Sequence, residues 1–209
     1  MGTGDKEGPV ATSGQDSFFA VKDDRTSTYA LGNLQDISGS GTIYNGTSAG
    51  WYINFGSGTG EKDLSDPAVF GGIVLFTTYT PDTSASSVCS RVGSSKLYAI
   101  AMMRVAITTN SVSYRYDPGA GVFSTPASAS STTGGARSIT LGLGMAKSPV
   151  VSQNPQPGKP TDIYLTLSGG GSTSTSIISS AQLGSSPLTD RLKTTPPSTQ
   201  VLHWRDGRL

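Results

Sequence analysis

The chain has 209 residues with 27 glycines and 12 prolines, only 14% charged residues and a formal net charge of +1. That balance sets aside long amphipathic helices, a nucleic-acid footprint and a strongly charged partner surface. The length fits one sizeable all-β domain or part of a larger one, and no run approaches the ~18 apolar residues of a membrane span.

In chain order, residues 1–17 are Gly-rich and polar, without an apolar period. Phe18 to Lys22 reads as a short strand that runs into the turn cluster Asp23-Asp24-Arg25-Thr26-Ser27. Leu31, Leu34 and Ile37 recur every three residues, which allows one helical turn; Gly32 and the short span argue against a longer helix. Gly50 to Phe55 alternates Trp51, Ile53 and Phe55 with Tyr52 and Asn54, the pattern of a half-buried strand.

Residues 61–100 organise the rest. Gly71-Gly72 supplies the positive φ of a tight turn, so Val69-Phe70 and Ile73 to Tyr79 are expected to form a hairpin. Ile73-Val74-Leu75-Phe76 is apolar on both faces, which predicts a strand covered on both sides. A third strand, Lys96 to Met102, brings the chain back and completes an antiparallel meander.

Beyond it, Ser111 to Tyr116 alternates as a strand and Asp117-Pro118-Gly119 is a turn, with Pro presetting φ and Gly taking positive φ. Ser124 to Gly135 is a low-complexity loop. Ser138 to Leu143, Ser148 to Ser152, Asp162 to Leu167 and Ser176 to Ser180 are further strands, and Asn154 to Lys159 is a Pro-rich crossing. One echo stands out. Ser65-Asp66-Pro67-Ala68-Val69 followed by Lys96-Leu97-Tyr98-Ala99 parallels Ser148-Pro149-Val150-Val151 followed by Asp162-Ile163-Tyr164-Leu165, the rhythm of stacked blades.

Several strings imitate catalytic or binding motifs. Gly46-Thr47-Ser48-Ala49-Gly50 matches G-x-S-x-G, but the nucleophile elbow needs a helix after it and an aromatic strand follows here. His203, the only histidine, lies beside Trp204 and reads as a packing or surface residue. Gly142 to Lys147 imitates a phosphate loop, yet Pro149 and a β run replace the helix whose N-terminus would hold phosphate. Cys89 is the sole cysteine, so no internal disulfide or cysteine-based metal site forms. It reads as a small loop residue or as half of a bridge to another chain. No calcium-loop string occurs, and no zinc ligand set is in view. Asn45-Gly46-Thr47 is a formal glycosylation sequon.

Taken together, Gly2-Thr3-Gly4-Asp5-Lys6-Glu7, Phe18-Phe19-Ala20-Val21-Lys22-Asp23, Gly50-Trp51-Tyr52-Ile53, Gly60-Glu61-Lys62 and Phe76-Thr77-Thr78-Tyr79-Thr80-Pro81, with Cys89 and Leu97-Tyr98-Ala99, stand in a telling order. The chain resembles the PilC/PilY-type proteins, large type IV pilus tip adhesins and assembly factors with a C-terminal β-propeller. The resemblance covers most of residues 2–100 and continues loosely through Ser148-Pro149-Val150 to Trp204-Arg205.

It implies an all-β fold made of the last blades of a partial, quinoprotein-like propeller. Residues 1–60 would form an opening blade with loops, 61–116 a central blade and 137–209 a closing blade and tail. The residues it marks as structural or contact positions are Gly4, Asp5, Trp51, Gly60, Glu61, Lys62, Thr77, Thr78, Pro81, Tyr98 and Trp204. It implies a location at the cell surface, pilus tip or outer membrane, with the missing blades, pilus tip or minor pilin components and a host or abiotic surface as partners. No catalytic, cofactor or metal residue is carried over; the family's calcium loop belongs to a part of the parent protein outside this chain. The chain departs from the pattern at Ile100-Ala101-Met102-Met103, where the family has an acidic strand end and a Thr-Gly turn.

Two other classes compete with this adhesion module. A quinoprotein-like dehydrogenase fragment shares the blade rhythm but needs acidic metal ligands and paired cysteines. A carbohydrate-binding β module would use exposed aromatics in residues 44–52, which as core residues would need no such role.

Overall fold

The computed structural model describes residues 1–84, 92–131, 134–152 and 162–168, and the backbone of Thr175–Ile178. Cys89, the crossing at 154–159, His203 and Trp204 therefore lie outside the described residues. The strands are β1 (Ser17–Val21), β2 (Leu34–Asp36), β3 (Gly50–Asn54), β4 (Lys62–Asp63), β5 (Ala68–Phe70), β6 (Ile73–Thr80) and β7 (Ser94–Ala101). After them come β8 (Val105–Thr109), β9 (Val112–Tyr116), β10 (Ser138–Leu143), β11 (Val150–Ser152), β12 (Asp162–Thr166) and β13 (Thr175–Ile178). Among the described residues there is no α-helix. The three-residue recurrence after Tyr29 resolves into a single 3-10 turn, Leu31–Asn33, that runs straight into β2.

The protein is all-β, and apart from the parallel pairing of β2 with β3 its sheets are antiparallel. The first sheet has the order β1-β3-β2; the central sheet runs β10-β7-β6-β4 with β5 also on β6; the third is β11-β12-β13; β8 and β9 form a separate hairpin.

The organising meander forms as its residues dictate. Gly71 and Gly72 have φ of +56° and +82° and join β5 to β6 with Phe70 opposite Ile73. Two consecutive positive φ values define the turn whose twist suits a hairpin, and glycine takes them without steric cost. β6 then pairs with β7 from Ile73↔Ala101 to Thr80↔Ser94.

β6 is buried from Ile73 to Tyr79 because both of its faces are covered. Successive side chains alternate between two cores. Val74, Phe76 and Ile100 join Phe18, Trp51, Ile53 and Phe55 of the first sheet. Ile73, Leu75, Leu97 and Ala99 face the opposite way, onto Val105, Ile107 and Tyr116 of the hairpin and Ile163 and Leu165 of β12.

Two regions pair where the sequence gives little signal. Residues 1–3 have no apolar period, yet they line β1: Thr3 N donates to Ser17 O (2.8 Å) and Phe19 N to Met1 O (2.7 Å). β10, grouped on sequence with the segment 137–209, pairs with β7 and completes the central sheet.

The internal echo is half spatial. Its two lead-ins do meet, with Asp66 N donating to Ser148 Oγ at 2.9 Å. Its second halves do not correspond, because β12 pairs directly with β11 whereas β7 is separated from β5 by β6. β12 thus takes the place of β6, which its x-φ-Tyr-φ string cannot reveal.

Candidate functional site

The polar interior of the molecule gathers at β4. Gly60 has φ +69°, and a Cβ there would lie within 3.0 Å of Ala11 O, Pro81 Cγ and Thr12 Cγ2. Only glycine makes that approach without strain. The turn delivers Glu61, Lys62 and Asp63 into the edge of the central sheet, each almost fully buried.

Glu61 closes the end of an aromatic stack. The Phe18 and Phe76 rings lie 3.9 Å apart at 5°, and Phe76 and Tyr98 lie 4.9 Å apart at 8°. The Tyr98 hydroxyl donates to Glu61 Oε1 at 2.9 Å, and Thr78 Oγ1 donates to the same oxygen at 2.8 Å. Lys96 Nζ pairs with Oε2 at 2.8 Å. The alternation of β6 and β7 places Thr78, Lys96 and Tyr98 on the face that carries Phe76. Burial, followed by the Glu61 carboxylate, holds the Tyr98 phenol well above its usual range. A buried carboxylate engaged on both oxygens, with three donors on about four acceptor sites, is held as a structural pin.

Lys62 points the other way. Its ammonium donates to Ala11 O at 2.6 Å and Gly8 O at 3.5 Å, which ties the N-terminal segment to β4. Asp63 completes that tie through backbone and side chain. Asp63 N donates to Thr3 O (3.2 Å), and Oδ1 accepts from Ser65 N (3.0 Å) and Ser65 Oγ (3.1 Å). Its Oδ2 is buried without a hydrogen-bond partner against Gly2, where a Cβ would sit 2.0 Å from it. Burial raises the Asp63 carboxyl to about 6. Burial also lowers the Met1 ammonium, against the pull of Asp63.

The marked residues divide cleanly. Gly4, Gly60, Glu61, Lys62, Thr78, Pro81 and Tyr98 converge on this joint; a Cβ at Gly4 would lie 2.2 Å from Asp63 O. Trp51 packs in the core above it, 3% exposed. Thr77 faces the opposite core and donates to Lys147 O at 3.3 Å. Asp5 stays at the surface, accepting from Glu7 N. Trp204 lies outside the described residues.

Sequence reasoning missed four participants. Lys96 was legible as a lone charge opening an apolar strand. Asp63 carried no such signal, since its burial follows from the Gly60 turn. Asp117, read only as a turn residue, is buried between Arg104 Nε (2.8 Å) and Arg115 Nε (3.6 Å), in pairings that are electrostatic rather than well-aligned hydrogen bonds. Arg137 carried no signal either, since its partners are backbone carbonyls of the loop after β2.

The rejected motifs fare as their local structure requires. Ser48 is followed by β3, with no helix, and its carbonyl accepts from Tyr44 OH. Gly142–Lys147 leads into β11. Of the aromatics at 44–52, Tyr44 and Trp51 are core residues, 7% and 3% exposed, and form no stacking platform for a sugar, while Tyr52 is half-buried beside Phe19. Among the described residues, no group of three or more His, Cys, Asp or Glu side chains is placed to hold a metal. Comparison with family models, curated proteins and solved structures returns no match to this chain.

Proposed function

We propose that this chain is a non-enzymatic adhesion and pilus-biogenesis module of PilC/PilY type, forming the last blades of a propeller. In this role it acts by contact at the cell surface or pilus tip. The observation that carries the reading is the convergence of the marked residues on one joint. Strings scattered from Gly4 to Tyr98 meet around Glu61, as expected if their spacing encodes one shared scaffold rather than a chance assortment of β motifs. The succession of meanders adds support. The central sheet and the sheet β11-β12-β13 follow one another along the chain and share a core, the relation between neighbouring propeller blades. The interior carboxylates Glu61 and Asp117, each paired with a cation, suit a contact role better than catalysis.

Deleting the coding region in the source organism tests the reading. The expected result is a loss of surface pili by electron microscopy and of adhesion, both restored by the intact gene. Unchanged piliation and adhesion would contradict it.

A further inference from the structure

Between the loop that follows β2 and the start of β10 the chain leaves a cavity of about 590 Å³, within the size range of small-molecule sites. Arg137 stands in its wall. The guanidinium reaches across from the central sheet to the loop: Nη1 donates to Ile37 O (2.5 Å) and Gly39 O (3.3 Å), and Nη2 donates to Thr42 O. All three acceptors are neutral carbonyls. Among the described residues no carboxylate pairs with Arg137.

A guanidinium half removed from water is costly to keep without an anion beside it, and carbonyl dipoles offset that cost only in part. Burial lowers the Arg137 pKa accordingly. A guanidinium has five N–H groups, so these three hydrogen bonds do not exhaust it.

The remaining wall mixes polar and apolar groups, with Ser38 and Asn54 firmly held. Ser38 Oγ donates to Asp36 Oδ1 at 2.5 Å and accepts from Asn54 N at 2.7 Å, which fixes both residues at the rim. Phe55 and Tyr98 contribute ring surface. At Gly121 a Cβ would lie 2.4 Å from Gly135 O, so part of the floor is bare backbone. Among the described residues, a cation with no paired carboxylate, a hydroxyl oxygen held in place by Asp36 and Asn54, and aromatic residues in the lining together suit a small hydroxylated acid.

We propose that this cavity binds a small polyhydroxy carboxylate, an acidic sugar unit by class, with its carboxylate on Arg137 and a hydroxyl donating to the remaining lone pair of Ser38 Oγ. The site is independent of the pilus assignment and of the buried Tyr44 and Trp51.

The test uses the full chain labelled with ¹⁵N and titrated with glucuronate, with glucose as the neutral counterpart and chloride holding ionic strength constant. Glucuronate is expected to give saturable shifts at Arg137 Nε–H and at the amides of Ser38 and Ser138, with glucose at least tenfold weaker. Ala136→Trp, at an exposed position of the wall, is expected to abolish the response with the thermal midpoint unchanged. Arg137→Lys, which keeps the charge but loses the planar fork, should weaken the response about tenfold. No saturable shift with glucuronate in the folded wild type overturns the proposal. So does an equal response to glucose, or an undiminished response in folded Ala136→Trp.

Discussion

The two faces of the central sheet are built on different principles. Toward the first sheet, large rings stack within a few degrees of parallel and end on a charged pin, Glu61 with Lys96, Tyr98 and Thr78. Toward the hairpin and β12, the contact is made mainly by Ile, Leu, Val and Ala, and its polar stitches are hydroxyls bonded to the crossover at 144–148. Ser95 Oγ donates to Gly144 O at 2.6 Å, and Ala146 N donates back to it at 3.0 Å. Aliphatic packing tolerates repacking if volume is kept. A ring stack capped by hydrogen bonds fixes orientation as well as volume. The first interface therefore demands particular residues, and Trp51, Glu61, Thr78 and Tyr98, marked by the resemblance, fall there.

The largest effects should come from emptying either face. Phe76→Ala is expected to cost about 3–5 kcal/mol and Leu75→Ala about 2–5 kcal/mol in denaturant unfolding. The contrast sharpens with conservative changes. Leu75→Met should cost under about 1.5 kcal/mol. Phe76→Leu should cost more than that, since it removes both ring contacts. Equal penalties for the two conservative changes would erase the distinction between the faces.

Removing the pin comes next. Glu61→Ala leaves Tyr98 and Thr78 without their shared acceptor, with an expected loss of about 2–3 kcal/mol by thermal or chemical denaturation. Lys96 remains partly hydrated, which keeps the loss below that of breaking a fully buried pair.

The joint should also respond to pH through Asp63. Its carboxyl titrates near 6 in the folded chain against an ordinary 3.8. Below about 4 both folded and unfolded states hold the proton. Between about 4 and 6 only the folded state does, so stability falls as pH rises, and above 6 the curve is flat again. The decline should be about 2–3 kcal/mol across that window. Asp63→Asn should remove it, as read from unfolding midpoints at several pH values. A smaller effect belongs to the opposite face. Thr77→Val removes the hydroxyl that reaches the crossover, at a cost of about 0.5–1.5 kcal/mol.

The sequence disclosed each face to a different degree. Alternation and the Gly71-Gly72 turn were sufficient to place β5, β6 and β7, because a strand buried on both sides carries its own apolar signature. The aliphatic face needs little beyond that pattern. The joint was legible only in part. Gly60, Glu61, Lys62, Thr78 and Tyr98 were marked through the resemblance, but nothing local shows Glu61 reaching Lys96 and Tyr98, some 35 residues away in the chain. The docking of residues 1–3 on β1 depends on backbone hydrogen bonds, which leave no apolar period. Arg137 escaped for a similar reason: its acceptors are carbonyls about 100 residues away, and no side-chain pattern records them.

Glu61 and Tyr98 act as one unit in closing the aromatic interface. A double-mutant cycle of Glu61→Ala and Tyr98→Phe, read by denaturant unfolding, tests it most directly. Coupling of about 1–2 kcal/mol is expected if the two share a buried hydrogen bond. Additivity within about 0.3 kcal/mol would show the pair to be independent and would contradict the joint.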